Sequence, residues 1–300
     1  MYFAFIKYRK IFYIVSFFLS VAAVASIFLF GLKLGIDFTG GSSLELAYKN
    51  ANEVPSVEIV RQTLSGLDLG EISLQKKGDK GFILKMKNIS EENHQEILKR
   101  LGGLAELEQG SESFQMIGPI IGQEMKGKTI VVIFLALLAI LLYVTLSFRR
   151  VTRPVKSYVY GIAGIIALGH DVLVPLGVLA FLGKLQGCEI TIPIVVAFLT
   201  IFGYSISDSI VVFDRTRENL LKAKDSSFAV TVEKSLNETL ARCFNTALTV
   251  LLVLFAMFFL GDPSLKYFSL TLIIGISCGV YSSIFLASPL LVTFQQSKTK

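Results

Sequence analysis

The sequence predicts a polytopic α-helical membrane protein: six transmembrane helices, with one small α+β domain of ferredoxin-like pattern outside the cytoplasm between helices one and two. Three observations carry that expectation. Of 300 residues, 53% are hydrophobic and 17% charged, against the roughly 25% charged residues of a soluble globular chain, and mean hydropathy is +0.64. Six runs almost free of charge each approach the ~20 residues that cross ~30 Å of hydrocarbon at 1.5 Å per residue. One polar stretch, 33–127, interrupts them after the first run and reads as short strands and helices.

The first run, 11–32, is too long for a cleaved signal peptide, lacks a small-x-small cleavage site and is followed by a charged domain, so it is read as an anchor. In the polar stretch, 43–48 alternates as a strand and 56–64 has helical spacing, while 71–77 and 81–87 read as strands joined around Gly78, Asp79 and Lys80. Ser90 opens a capped helix through Gln95, Ile97 and Leu98, and 112–117 is a last strand. Strand, helix, two strands, helix, strand is the split βαβ order. His94 is expected on a polar, solvated helix face.

The remaining runs are 129–148, 157–183, 190–207, 243–261 and 267–297. The expected organisation is therefore 1–32 as N-terminus and first helix, 33–127 as exported domain, 128–297 as a five-helix bundle with a cytoplasmic loop 214–241, and 298–300 as a tail. Within the third span, Pro175, Gly177 and Gly183 predict a break or kink. Phe228, Val232 and Leu236 in the loop fit either a short amphipathic surface helix or a solvated connector.

The net charge of +6 does not point to nucleic acid, because the bases follow the membrane plan. Lys7, Arg9 and Lys10 precede span one; Arg149, Arg150, Arg153 and Lys156 separate spans two and three; Arg215, Arg217, Lys222, Lys224 and Lys234 separate four and five; Lys298 and Lys300 end the chain. Little more than Lys184 and Lys266 faces them from the other short loops, so both termini are expected in the cytoplasm. Cys188, Cys243 and Cys278 show neither CxxC spacing nor a metal pattern and are read as small packing residues.

No GxxxxGK[ST], HExxH or partnered GxSxG occurs, so ATP hydrolysis and other enzymatic chemistry are not expected, and no cofactor or metal is implied. The chemistry-bearing residues are ionisable groups within spans: His170 and Asp171 in the third, Asp208 near the end of the fourth, Arg242 opening the fifth. A charge at the bilayer centre costs ~2.5 to 3.5 kcal/mol on insertion scales, so such groups face the bundle interior and mark ion or proton routes. Counted from the outer ends of their spans at helical rise, Asp208 and Arg242 lie at nearly one depth, about 27 and 28 Å in. Each sits on a polar helical face, with Tyr204 and Ser205 near Asp208 and Asn245, Thr246 and Thr249 near Arg242. The competing reading is a pair snorkelling to headgroup water. Glycines at 275 and 279, followed by Ser282 and Ser283, and at 161 and 164 offer close helix packing, or smooth faces for sliding.

Five ordered stretches then form a pattern: GIDFTGG at 35–41, IGPIIGQE at 117–124, the HD pair at 170–171, GYSISDSIVVFDRTREN at 203–219 and SLNETLAR at 235–242. Together they closely resemble the SecD/SecF family of bacterial protein-export membrane proteins, and one six-span unit with a small exported domain places the likeness on the SecF side. The resemblance implies half of a resistance-nodulation-division (RND) transporter fold, completed by SecD in the bacterial cytoplasmic membrane and using the proton-motive force to help preproteins leave the SecYEG channel. It places Asp208 and Arg242 on the proton route, with Asp171, His170, Ser205 and Thr246 as possible polar support. The chain departs from the usual family pattern at Ser207, Cys243 and Ala247, thinning the polar environment of that pair. Other readings are an Asp171/Asp208 intramembrane protease, for which the GxGD pattern is missing, a passive translocon scaffold, and an RND-type small-molecule exporter subunit.

Overall fold

The computed structural model describes residues 3–149, 154–222 and 227–297. Arg150, Arg153, Lys224 and the tail 298–300, which bear on the orientation expected above, lie outside them. Two compact units emerge, one formed by Met1–Gly31, Val131–Lys184 and Pro193–Lys300, the other by Leu32–Ile130 with Leu185–Ile192. Six helices among the described residues are long and apolar enough to cross a membrane.

Helix α1 (Arg9–Phe30) stops at Gly31 (φ 71°). The second unit opens with the single-turn helix α2 (Ile36–Thr39), then β1 (Gly41–Ala47), α3 (Val57–Thr63), β2 (Ser73–Lys77), β3 (Gly81–Met86), α4 (Glu91–Gly102) and β4 (Ser113–Ile117). The sheet order is β2-β3-β1-β4, with every neighbouring pair antiparallel and Leu44 opposite both Leu84 and Phe114. Leu44, Leu46, Phe82 and Leu84 close a core with Val60 from α3 and Ile97 and Leu101 from α4. Ser90 caps α4 by accepting from the Asn93 amide, with Glu91 and Glu92 at the positive end of the helix dipole.

His94 is not solvated. It is 5% exposed, stacked on Phe114 at 4.0 Å between ring centroids. Nδ1 lies 3.3 Å from Glu91, and Nε2 lies 2.8 Å from Glu112 at an angle outside hydrogen-bond geometry. The ring is flat and amphipathic, so Phe114 covers its face while carboxylates take its edges.

The glycine-rich motif after α1 is a packing joint. Gly40 has φ +75°, where a side chain is strained, and a Cβ there would fall 2.7 Å from the Cα of Pro119. Pro119 opens helix α5 (Pro119–Ser147), where a missing N–H is harmless. A Cβ on Gly122, one turn on, would approach the Gly40 nitrogen at 2.8 Å. The stretches at 35–41 and 117–124 thus need glycine because their backbones touch. The segment 185–192, which no sequence pattern assigned to this unit, joins it through Gly35 N to Ile190 O (2.8 Å), Ile190 N to Lys33 O (2.7 Å) and the Lys85–Glu189 ion pair (2.8 Å).

Helix α6 (Ser157–Gln186) runs unbroken with Pro175 inside it, so the expected break is absent; proline's missing N–H frees the carbonyl four residues back, that of Asp171. Helices α7 (Ile192–Lys222) and α8 (Phe228–Leu260) both continue beyond their apolar runs. Phe228, Val232 and Leu236 belong to α8 and are buried, which replaces the surface helix or solvated connector with one long helix. Asn219 donates to Ser235 (3.0 Å) and Glu238 (2.7 Å), and Arg215 pairs with Glu238 at 2.6 Å. The chain closes with α9 (Lys266–Ser282), a π-helical turn Ser283–Ala287 and α10 (Ser288–Ser297). The Asp37 carboxylate accepts from the Ile192 amide at 2.8 Å, capping α7.

Candidate functional site

The bundle buries two carboxylates on successive helices. Asp171, on α6, is fully buried. Its Oδ2 accepts from the hydroxyls of Ser205 on α7 (2.5 Å) and Ser282 on α9 (2.6 Å), and its Oδ1 lies 3.1 Å from His170 Nδ1. Two hydroxyl donors thus converge on one carboxylate oxygen, with the imidazole beside the other. His170 Nε2 is buried without a hydrogen-bond partner. The serines reach Asp171 because α7 and α9 approach closely: a Cβ on Gly275 would overlap Ile201 Cδ1, and one on Gly279 would press on Ser205 Cβ at 3.1 Å. The small-residue stripe is therefore a packing seam.

That seam continues into the π-helical turn. Ser283 donates to the Ser205 carbonyl (3.3 Å) and pairs with Ser209 (2.9 Å), while Ser288 donates to the Ser283 carbonyl five residues back (2.9 Å). A π-helical turn leaves backbone groups free for such side chains, and turns of this kind collect at functional sites. The sequence SIFLA carries no signal for it.

Asp208 is one helical turn beyond Ser205 on α7 and 7% exposed. The Cys243 thiol on α8 lies beside it without meeting hydrogen-bond geometry, and Oδ2 is buried with no hydrogen-bond partner. Cys243, read from the sequence as a small packing residue, is buried next to the carboxyl. Arg242 precedes it on α8 and lies within electrostatic reach of Asp208, as does Asp171. Its guanidinium is exposed, with no ion pair among the described residues. Arg242, expected either to line a hydrated path with Asp208 or to snorkel to headgroup water, is exposed on the bundle beside it. Thr246 is also exposed and gives its hydroxyl to the Arg242 carbonyl at 2.9 Å; the buried Tyr204 hydroxyl faces it without meeting hydrogen-bond geometry.

Residues 98–297 match the family model for the C-terminal region of protein export membrane proteins SecD/SecF, and residues 25–51 match that for the SecD/SecF GG motif. The chain belongs to the SecD/SecF family. Within it, the protein translocase subunit SecF of Thermobaculum terrenum is 39% identical, over 97% of this chain and 93% of the relative. The Synechocystis SecF is 34% identical over 85% of this chain and 81% of the relative. The crystal structure of SecDF, a translocon-associated membrane protein from Thermus thermophilus, superposes with a TM-score of 0.84 at 34% identity over 99% of this chain. The chain spans 39% of that SecDF polypeptide. The chain is accordingly a multi-pass membrane protein and a SecF-like subunit of a protein translocase, and the stretch at 35–41 falls within the matched GG motif.

Proposed function

We propose that this SecF-like subunit couples the proton-motive force to protein export, with Asp208 as the group that gains and loses the proton and Arg242 as its fixed counter-charge. The observation that carries the reading is the isolation of Asp208: a carboxyl 7% exposed whose Oδ2 is buried with no hydrogen-bond partner. A buried carboxylate oxygen without a donor costs desolvation energy that protonation relieves. The exposed Arg242 and Thr246 beside it mark a site that a second subunit completes, and SecD supplies that surface, as the fused SecDF relative supports. Each proton moving through ~100 mV supplies ~2.3 kcal/mol, enough to bias a two-state helix bundle by well over tenfold.

In this reading the export domain is ferredoxin-like, supported by its β2-β3-β1-β4 order, and moves against preproteins leaving SecYEG. The excess of Lys and Arg at one end sets both termini in the cytoplasm of a bacterium, with the subunit in the cytoplasmic membrane. The test is proton flux through vesicles holding this chain with SecD. Asp208→Asn, with assembly intact, abolishes flux and proton-dependent stimulation of export; retention of both overturns the assignment and favours a passive scaffold.

A further inference from the structure

At the basic end of the bundle, the chain before α1 folds back along α8, where the Phe3 amide donates to Asn237 (2.8 Å) and the Ile6 amide to Glu233 (3.3 Å). Beneath this strap lies a cavity of about 260 Å³ lined by Phe5, Tyr8, Phe12, Leu240, Phe244 and Phe285, among others. Phe12 and Phe5 meet Phe285, in the π-helical turn, at 4.4 and 5.6 Å between ring centroids. The wall is aromatic and aliphatic, so an occupant rich in hydrogen-bonding groups loses its water without replacement. Phe244 is 53% exposed at the opening and Tyr8 48%.

The strap and the first turn of α1 carry Lys7, Arg9 and Lys10 against one nearby carboxylate, Glu233. The Lys7 ammonium stands 5.5 Å from the Tyr8 ring centroid, and Lys10 is exposed one turn away. Arg9 is engaged by Gln296 at 2.6 Å, and the nearby carboxylate, Glu233, takes the Ile6 amide. The Lys7 ammonium, over the ring of a lining residue, above a dry aromatic slot matches one amphiphile: an acyl chain below, an anionic headgroup above.

We infer that this cavity is a binding site for an anionic phospholipid, with one acyl segment among Phe12, Phe244 and Phe285 and its phosphate at Lys7. The inference is independent of the proton assignment, since none of these residues belongs to that site. Through Phe285, occupancy supports the π-helical turn that carries Ser283.

The chain has no tryptophan, so one introduced indole reports its own surroundings. Phe244→Trp and, on the opposite wall, Phe12→Trp are placed separately in phosphatidylcholine vesicles and titrated with phosphatidylglycerol or phosphatidylcholine brominated on the acyl chain. The expected result is half-quenching by the anionic lipid at a mole fraction lower by about five-fold or more, the contribution of a single basic residue at a membrane surface. Lys7→Gln removes the preference, while Phe259→Trp, 72% exposed at the far end of α8, shows none. Equal quenching by both lipids, a preference that survives the lysine substitution, or the same preference at position 259 overturns the site. So does protection from every lipid on adding SecD, which assigns the cavity to the partner subunit.

Discussion

The two units reverse the usual placement of polarity. The export unit, in water, buries Leu44, Leu46, Phe82, Leu84, Ile97 and Leu101 and keeps its carboxylates at the rim. The membrane unit, in lipid, exposes Phe17, Phe28, Val253 and Leu260 and buries Asp171, Asp208 and a run of serines. Apolar side chains gain nothing by leaving lipid, so the bundle coheres through close packing at Gly275 and Gly279 and through hydrogen bonds. In the export unit the same side chains supply the folding free energy directly. Buried charge in the bundle is costly; the fold of the other unit needs none.

The sharpest break of that contrast is within the membrane unit, between its two acids. Asp171 accepts from two serines and Asp208 has a buried oxygen with no partner, so the same substitution separates structure from transport. Asp208→Asn leaves the melting temperature of the purified chain within a degree or two and removes proton flux altogether. Asp171→Asn strips a charged acceptor from Ser205 and Ser282, and with two hydrogen bonds to a charged group worth about 1.5 to 3 kcal/mol each it destabilises the bundle by roughly 3 kcal/mol or more. Thermal melts in detergent, paired with flux in vesicles, check both. If Asp208→Asn melts early and Asp171→Asn loses only flux, the roles are exchanged.

The legible features were those that repeat. Six apolar runs and the strand alternation of 43–48 and 81–87 survive translation into structure because length and period are local properties. His94 shows how a local signal is misread: His94, Ile97, Leu98 and Leu101 are spaced three, four and seven apart, the buried stripe of α4, yet histidine is polar enough to be left outside it. Its cover, Phe114, comes from another strand. The Cys243 contact to Asp208, the exposure of Arg242 and the π-helical turn depend on how α7, α8 and α9 are rotated against one another, which no single helix's sequence specifies. Residue counts bring Asp208 and Arg242 to one level of the bundle; the direction each faces they do not give.

Tyr48 is the one phenol in the export unit's core, and it sharpens the contrast at high pH. Its ring meets Phe82 edge-on, its hydroxyl reaches the Leu101 carbonyl at 3.4 Å, and burial pushes it from 10.0 up to about 12. A raised value means the fold favours the neutral form: stability is intact below about pH 10 and falls as pH climbs toward 12, by at most about 3 kcal/mol. The urea midpoint of the export unit, compared at pH ~9 and ~12, drops less in Tyr48→Phe than in the parent chain. An equal drop assigns the alkaline loss to surface lysines.

The smallest effect is at the rim, where charges are hydrated. Gln95 donates to Glu91 at 2.7 Å and, with a lesser contribution from His94, holds that carboxyl below its usual 4.5. A depressed acid stabilises the fold above its unfolded value and loses that contribution as pH falls through its folded one. Gln95→Ala therefore differs from the parent chain at neutral pH, and the difference changes as the solution is taken below pH 4.5. Alanine's higher helix propensity shifts the baseline by a few tenths of a kcal/mol at every pH, so only the pH-dependent part reports the Gln95–Glu91 bond. A difference constant from neutral pH to pH ~3 removes the bond from the list of forces on α4 and leaves the Ser90 cap and the buried stripe to hold it.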